Sequence, residues 1–231
     1  MIRNRQALAA VLTMIALSGC SLPVERRSAI VETTAALRAA GHGLVDVRTF
    51  LPDVSVALKY ATRQNITHQP LYPPDMPCLL RQSTALKLRA VQEKLRSLGL
   101  AIRIWDAWRP PEVQMELMRQ GGGTGMFLDP RVAWSRHCSG VAIDLTLIDL
   151  EGHEQRMPSP HDENSDHAYF QYSGDDPVVK RNISALQLVM LASGFTMIDR
   201  EWWHFDDSDC WRHPQPEVYA RDIGLVLPQV R

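Results

Sequence analysis

Leu88, Val91, Leu95 and Leu98 recur at helical spacing between Thr84 and Gly99, with Lys and Arg on the other face. That spacing predicts a helix over 84–98, stopped by Gly99. The period then changes. Leu100, Ile102 and Ile104 alternate with Ala101 and Arg103, as on a half-buried strand. Pro110 and Pro111 suit the start of a short helix reaching about Met118, which the run Gly121-Gly122-Gly123 ends. A second alternation, Val141, Ile143, Leu145 and Leu147, predicts another strand. The polar segment from Gly152 to Asp176 reads as a long functional loop. Asp176-Pro177 then resembles an N-cap and first helical residue, with Ile183, Leu186 and Met190 as the apolar stripe and Gly194 as the stop. Phe195–Ile198 is a strand leading into E-W-W-H-F (201–205). Helices and strands mix without regular βαβ alternation, which points to an α+β single domain with a small antiparallel sheet packed with helices.

The chain has 231 residues, 45% of them hydrophobic and 22% charged, ordinary values that exclude disorder and collagen-like structure. Its first residues differ from the rest. Arg3 and Arg5 precede an uncharged apolar stretch, Ala7 to Leu17, and then L-S-G-C ending at Cys20. This is a secretory signal, too short to span a bilayer comfortably. Its ending resembles a bacterial lipoprotein signal, which implies cleavage before Cys20 and acylation there. The expected division is 1–19 signal, 20–45 tether and lead-in, and 46–231 the folded domain. Loss of residues 1–19 removes two arginines and no acid, moving the formal charge from −1 to −3. Nothing in that balance predicts a nucleic-acid partner. The expected location is the cell envelope or periplasm, lipid-anchored, with the outer membrane favoured because Ser21 follows Cys20. Cys78, Cys138 and Cys210 are left, compatible with one disulfide and one free thiol in an unspecified pairing.

The decisive chemistry lies in S-R-H-C-S-G-V-A-I-D, Ser135 to Asp144. On the strand, Val141, Ile143 and Leu145 face one side while Ala142, Asp144 and Thr146 face the other. His137 precedes Gly140, whose freedom to bend can bring the imidazole back over Asp144. With His204 these make a three-ligand zinc set that keeps a fourth position for water. Glu201, three residues before His204, would stand beside the metal as a proton acceptor, provided the strand bends between them. H-x6-D and E-x-x-H are each common patterns. Their joint appearance beside apolar strands is not. His42, His68, His153, His161, His167 and His213 read as ordinary surface groups.

S-R-H-C-S-G-V-A-I-D-L-T-L and E-W-W-H-F resemble the two zinc motifs of the D-alanyl-D-alanine dipeptidases, within the zinc DD-peptidase group that shares a fold with hedgehog signalling domains. Residues 53–67, I-W-D-A-W-R-P (104–110) and M-P-S-P-H-D (157–162) extend the similarity over roughly Val45 to Trp211. The resemblance implies one Zn2+ per chain on His137, Asp144 and His204, with Glu201 as general base and acid. It also implies Arg109 at the tetrahedral intermediate and Ser135 with Asp162 on the substrate's ammonium. The expected function is hydrolysis of D-Ala-D-Ala or related D,D-dipeptides in the envelope, with Trp202 and Trp203 walling the pocket and Trp108 as a further aromatic wall. Cys138 departs from the family beside a ligand and is expected to point away. The stretch between Arg109 and His137 is short and glycine-rich compared with the family's resistance enzymes, which implies a less tightly lidded pocket. Alternatives are a D,D-carboxypeptidase or endopeptidase acting on peptidoglycan stems, and a noncatalytic zinc-containing lipoprotein that binds muropeptide.

Overall fold

The computed structural model describes residues 33–229, so Cys20 and the apolar segment before it lie outside the described residues. The first helix, α1 (Thr34–Ala40), is capped by Thr33, whose hydroxyl accepts the Ala36 N–H at 3.1 Å. Next come β1 (Leu44–Asp46), α2 (Val47–Phe50), β2 (Ser55–Val56) and β3 (Leu79–Arg81). After them follow α3 (Gln82–Arg96), β4 (Leu100–Asp106), α4 (Pro111–Gly121) and β5 (Ala142–Asp149). The chain then continues through α5 (Pro177–Leu191), β6 (Phe195–Ile198) and β7 (Glu201–Asp207). Within the stretch read as tether and lead-in, residues 34–46 thus carry a helix and a strand. The buried methyls of Ala36 and Ala39 seat α1 near the turn Ala220–Ile223. Such small side chains leave no stripe for periodicity to find.

The main sheet runs β2-β4-β5-β7-β6. Its neighbours pair antiparallel except at one edge, where β2 lies parallel to β4. An all-antiparallel sheet was the expectation; the difference arises because the chain between β2 and β4 passes through α3, the helical crossover a parallel pair requires. α3 and α5 lie against each other and pack on β4, β5 and β6. Asp176 caps α5, accepting the Val178 N–H at 2.9 Å. Along β5 every residue from Ala142 to Ile148 is buried, because loops cover the face opposite the helices. The alternation of Val141, Ile143, Leu145 and Leu147 thus separates two buried environments, one apolar and one chemical. No helix among the described residues is long and apolar enough to cross a membrane. Cys78, Cys138 and Cys210 are all free thiols, so the pairing left open by their odd number is not formed.

Candidate active site

Antiparallel pairing of β5 and β7 sets Asp144 directly opposite His204. The strand-to-strand register alone therefore brings together residues sixty positions apart. His137 reaches them from the 3-10 turn Arg136–Ser139, which ends at Gly140 with φ +73°. Left-handed backbone is unstrained only for glycine there, and a Cβ would stand 2.5 Å from Leu44 Cδ2. The bend expected at Gly140 is thus present and tightly packed. Ser135 caps the same turn, its hydroxyl accepting the His137 N–H at 3.4 Å.

Outer hydrogen bonds decide which imidazole nitrogens face the centre. His137 Nδ1 lies 2.7 Å from the Ala107 carbonyl and donates to it, which leaves Nε2 with its lone pair inward. His204 Nε2 donates to Asp206 Oδ1 at 3.0 Å, which leaves Nδ1 inward. These two nitrogens are 3.1 Å apart, and Asp144 Oδ1 is 3.2 Å from the first and 3.0 Å from the second. Three electron pairs converge with no proton of their own between them. Only a cation satisfies such a group, and the donors suit zinc, whose bonds of roughly 2.0–2.2 Å hold tetrahedral neighbours about 3.3 Å apart. Without metal, a proton takes that role. Burial alone would lower the His204 pKa, but hydrogen bonds to Asp144 and Asp206 override it and hold the imidazole well above its ordinary value. A zinc ion held here would compete with the proton for Nδ1, so its affinity should rise with pH by up to about tenfold per unit until the metal-free imidazole is already neutral. Zinc titrations at several pH values, with proton release followed in parallel, check this; a flat profile would contradict it.

Glu201 opens β7 at the rim of the same cleft, its Oε2 3.8 Å from His204 Nδ1. The bend required between them is a ladder irregularity. Met197 pairs with Phe205, yet the next residue, Ile198, pairs with Glu201. Burial, reinforced by Asp144 and Asp162 and opposed by His204, raises the Glu201 carboxyl above its usual range. It is therefore suited to take up a proton and give it back.

Arg109 follows β4 and is buried. Asp106 Oδ2 accepts from its Nε at 3.0 Å and lies 2.9 Å from Nη2, while Gln114 Oε1 accepts from Nη1 at 2.8 Å. Its guanidinium lies over the Tyr60 ring, 4.9 Å from the centroid, and Nη2 stands 3.8 Å from Asp144 Oδ2. A fully buried Asp106 also accepts the Tyr72 hydroxyl at 2.7 Å. Asp162 has φ +60°, accepts the Tyr60 hydroxyl at 3.2 Å through Oδ1, and leaves Oδ2 without a partner among the described residues.

Arg109, Asp162, Ser135 and Glu201 line, with the convergent donors, a cleft of about 100 Å³, while Asp106 and Tyr72 lie behind it. Its apolar wall is formed by Met126, Phe127, Leu128 and Ile198 rather than by the tryptophans. Phe127 folds back over Gly121, where a Cβ would stand 2.8 Å from its ring. The glycine-rich stretch thus supplies a wall to the cleft. Trp202, Trp203 and Trp108 are instead buried in the core; Trp202 donates to Ser159 Oγ at 3.0 Å. Cys138 is outside the convergent donor set, and burial pushes its thiol up to about 12, far from the thiolate that zinc prefers.

Sequence reasoning missed Asp106, Tyr60, Tyr72, Gln114, Asp206 and His161. The last needs a correction. Placed among the surface histidines, His161 has a side chain only 1% exposed, with Nε2 3.1 Å from Asp144 Oδ2. Its adjacency to Asp162 in the long loop was the available signal.

A family model described as D-Ala-D-Ala dipeptidase matches residues 40–122 and 126–222, most of the chain. The chain belongs to the D-Ala-D-Ala dipeptidase family. Among relatives of that family, the D-alanyl-D-alanine dipeptidase of Escherichia coli K12 is 34% identical over 163 residues, covering 71% of this chain and 83% of its own length. The enzyme of the same name from Enterococcus faecalis V583 is 26% identical over 77% of this chain and 96% of its own. That of Streptomyces coelicolor is 27% identical over 70% and 88%. Both segments of the dipeptidase family match include the motifs discussed above: Arg109 lies in the first, and His137, Asp144, Glu201 and His204 in the second.

Proposed function

We propose that this chain is a zinc dipeptidase that hydrolyses D-Ala-D-Ala or closely related D,D-dipeptides. The observation that carries the reading is the convergence of His137 Nε2, Asp144 Oδ1 and His204 Nδ1 on one point within a cleft that Glu201 borders. Zinc held by these three atoms would supply a Lewis acid to polarise the scissile carbonyl and acidify water. Glu201 takes the proton of the attacking water and passes it to the leaving amine, a role its raised pKa supports. Arg109, locked by Asp106 and Gln114, presents its remaining N–H groups to the oxyanion without reorganising. Asp162, with one oxygen unpartnered, and Ser135 receive the free ammonium of the substrate.

An ammonium clamp demands an unblocked N-terminus. D-Ala-D-Ala should be cleaved at least about tenfold better, by kcat/KM, than its N-acetylated form, since one lost charge-assisted contact costs roughly 1.5–3 kcal/mol. Faster cleavage of the blocked substrate would favour the carboxypeptidase reading, and zinc binding without any hydrolysis the noncatalytic one.

We also propose that the mature protein is lipid-anchored through Cys20 in the cell envelope. The basic start, apolar stretch and L-S-G-C sequence support this. Cys20→Ser should move the protein from the membrane fraction to the soluble one. An unchanged distribution would count against the anchor. In that place the enzyme would serve turnover of wall-derived dipeptide.

A further inference from the structure

Asp144 has two oxygens, and only Oδ1 faces the two imidazoles. A carboxylate is free to rotate about its Cβ–Cγ bond, and a cation can capture either oxygen or both. Something must therefore hold the outer oxygen. Around Oδ2 stand two groups: Arg109 Nη2, which at 3.8 Å is beyond hydrogen-bond distance, and His161 Nε2 at 3.1 Å. His161 comes from the long loop between β5 and α5. Its ring is caged by Tyr60, Trp105 and Trp203, with centroids 5.7, 5.5 and 5.5 Å away. These contacts meet the ring edge-on or tilted and fix its plane. Its other nitrogen, Nδ1, makes no hydrogen bond among the described residues. Nδ1 faces Asp162 Oδ1 at 3.5 Å, so the contact of Nε2 with Asp144 is the ring's closest polar contact among the described residues.

We propose that His161 is a positioning residue of the metal centre, its Nε2–H holding the outer oxygen of Asp144 so that the inner one meets His137 and His204. This rests on the reading of those three residues as metal donors. His161 precedes Asp162 directly, so one loop both orients a metal donor and presents the residue proposed to bind the ammonium. The metal and the substrate's amino end are thereby registered against each other through a short stretch of backbone.

Zinc affinity, measured by competition with a chromophoric chelator, tests the inference without recourse to activity. His161→Gln can place an amide N–H near the position of Nε2, whereas His161→Asn reaches only to that of Nδ1. His161→Phe removes the donor and keeps the ring. Zinc should bind about tenfold more weakly to the Asn and Phe variants, the loss typical of removing an orienting partner, and within about threefold of wild type in the Gln variant. The Asn and Gln variants are equally polar and both smaller than histidine, so their comparison does not depend on Phe folding. Equal affinities in Asn and Gln, or a Phe variant that binds as wild type does, would overturn the inference while leaving the zinc centre standing. A wild-type protein that bound no zinc would instead remove the centre itself.

Discussion

Replacing Glu201 by glutamine should lower kcat on D-Ala-D-Ala by about 10²–10⁴-fold while zinc content stays at one per chain. Glutamine keeps the shape at the start of β7 and loses the basic oxygen. Glu201 stands beside the donor set rather than within it, 3.8 Å from His204 Nδ1, and the three convergent donors do not include it. Metal binding and turnover should therefore separate in this variant. KM should change little, because Asp162 and Ser135, the proposed ammonium partners, are untouched. Turnover within a few-fold of wild type, measured on metal-replete protein, would remove Glu201 from proton transfer and leave the cleft without a base.

Asp106→Ala should cost about 3–5 kcal/mol of stability, a large part of the 5–15 kcal/mol typical of a domain. The cause is not the loss of three hydrogen bonds as such. Arg109 is itself buried, and Asp106 is the carboxylate that accepts from its Nε and faces its Nη2. Removal leaves the buried guanidinium without its nearest carboxylate, with Asp144 3.8 Å away as the next, and frees the Tyr72 hydroxyl as well. Chemical denaturation of the metal-free variant measures the effect, and a midpoint unchanged from wild type would contradict it. Surviving folded protein should also be slow, because Arg109 would keep only Gln114 to aim it.

The strands at 100–106, 142–149 and 195–198 and the two long helices were legible because each carries its own local signal. α3 has a stripe of leucines and valine, α5 an aspartate cap followed by proline, and β5 a clean alternation that sets Asp144 apart from Ile143 and Leu145. Candidate donors were legible for the same reason, since a His, a bend and an Asp at the start of a strand occupy one short segment. What escaped was the set of contacts made between segments. Asp106 looks like the end of a strand until Tyr72 and Arg109 are seen to close on it. His161 looks like a loop residue until Asp144 and three aromatic rings surround it. The tryptophans of E-W-W-H-F misled because burial and a place beside catalytic groups have the same local appearance. They fill the core, Trp203 against His161, while the cleft takes most of its apolar wall from residues after a glycine run, where composition suggested only a loop.

Asp144 and His204 meet only because their strands are aligned as they are. Sliding β7 by one residue along β5 would present Trp203 or Phe205 to the aspartate and turn His204 toward the apolar interior, with nearly every ladder hydrogen bond remade. Side-chain pattern sets such a register, so the bulky rings flanking His204 act as indexing pins. The same side chains that contribute nothing to the cleft lining thereby protect the protein against a well-folded but metal-blind isomer of its own sheet.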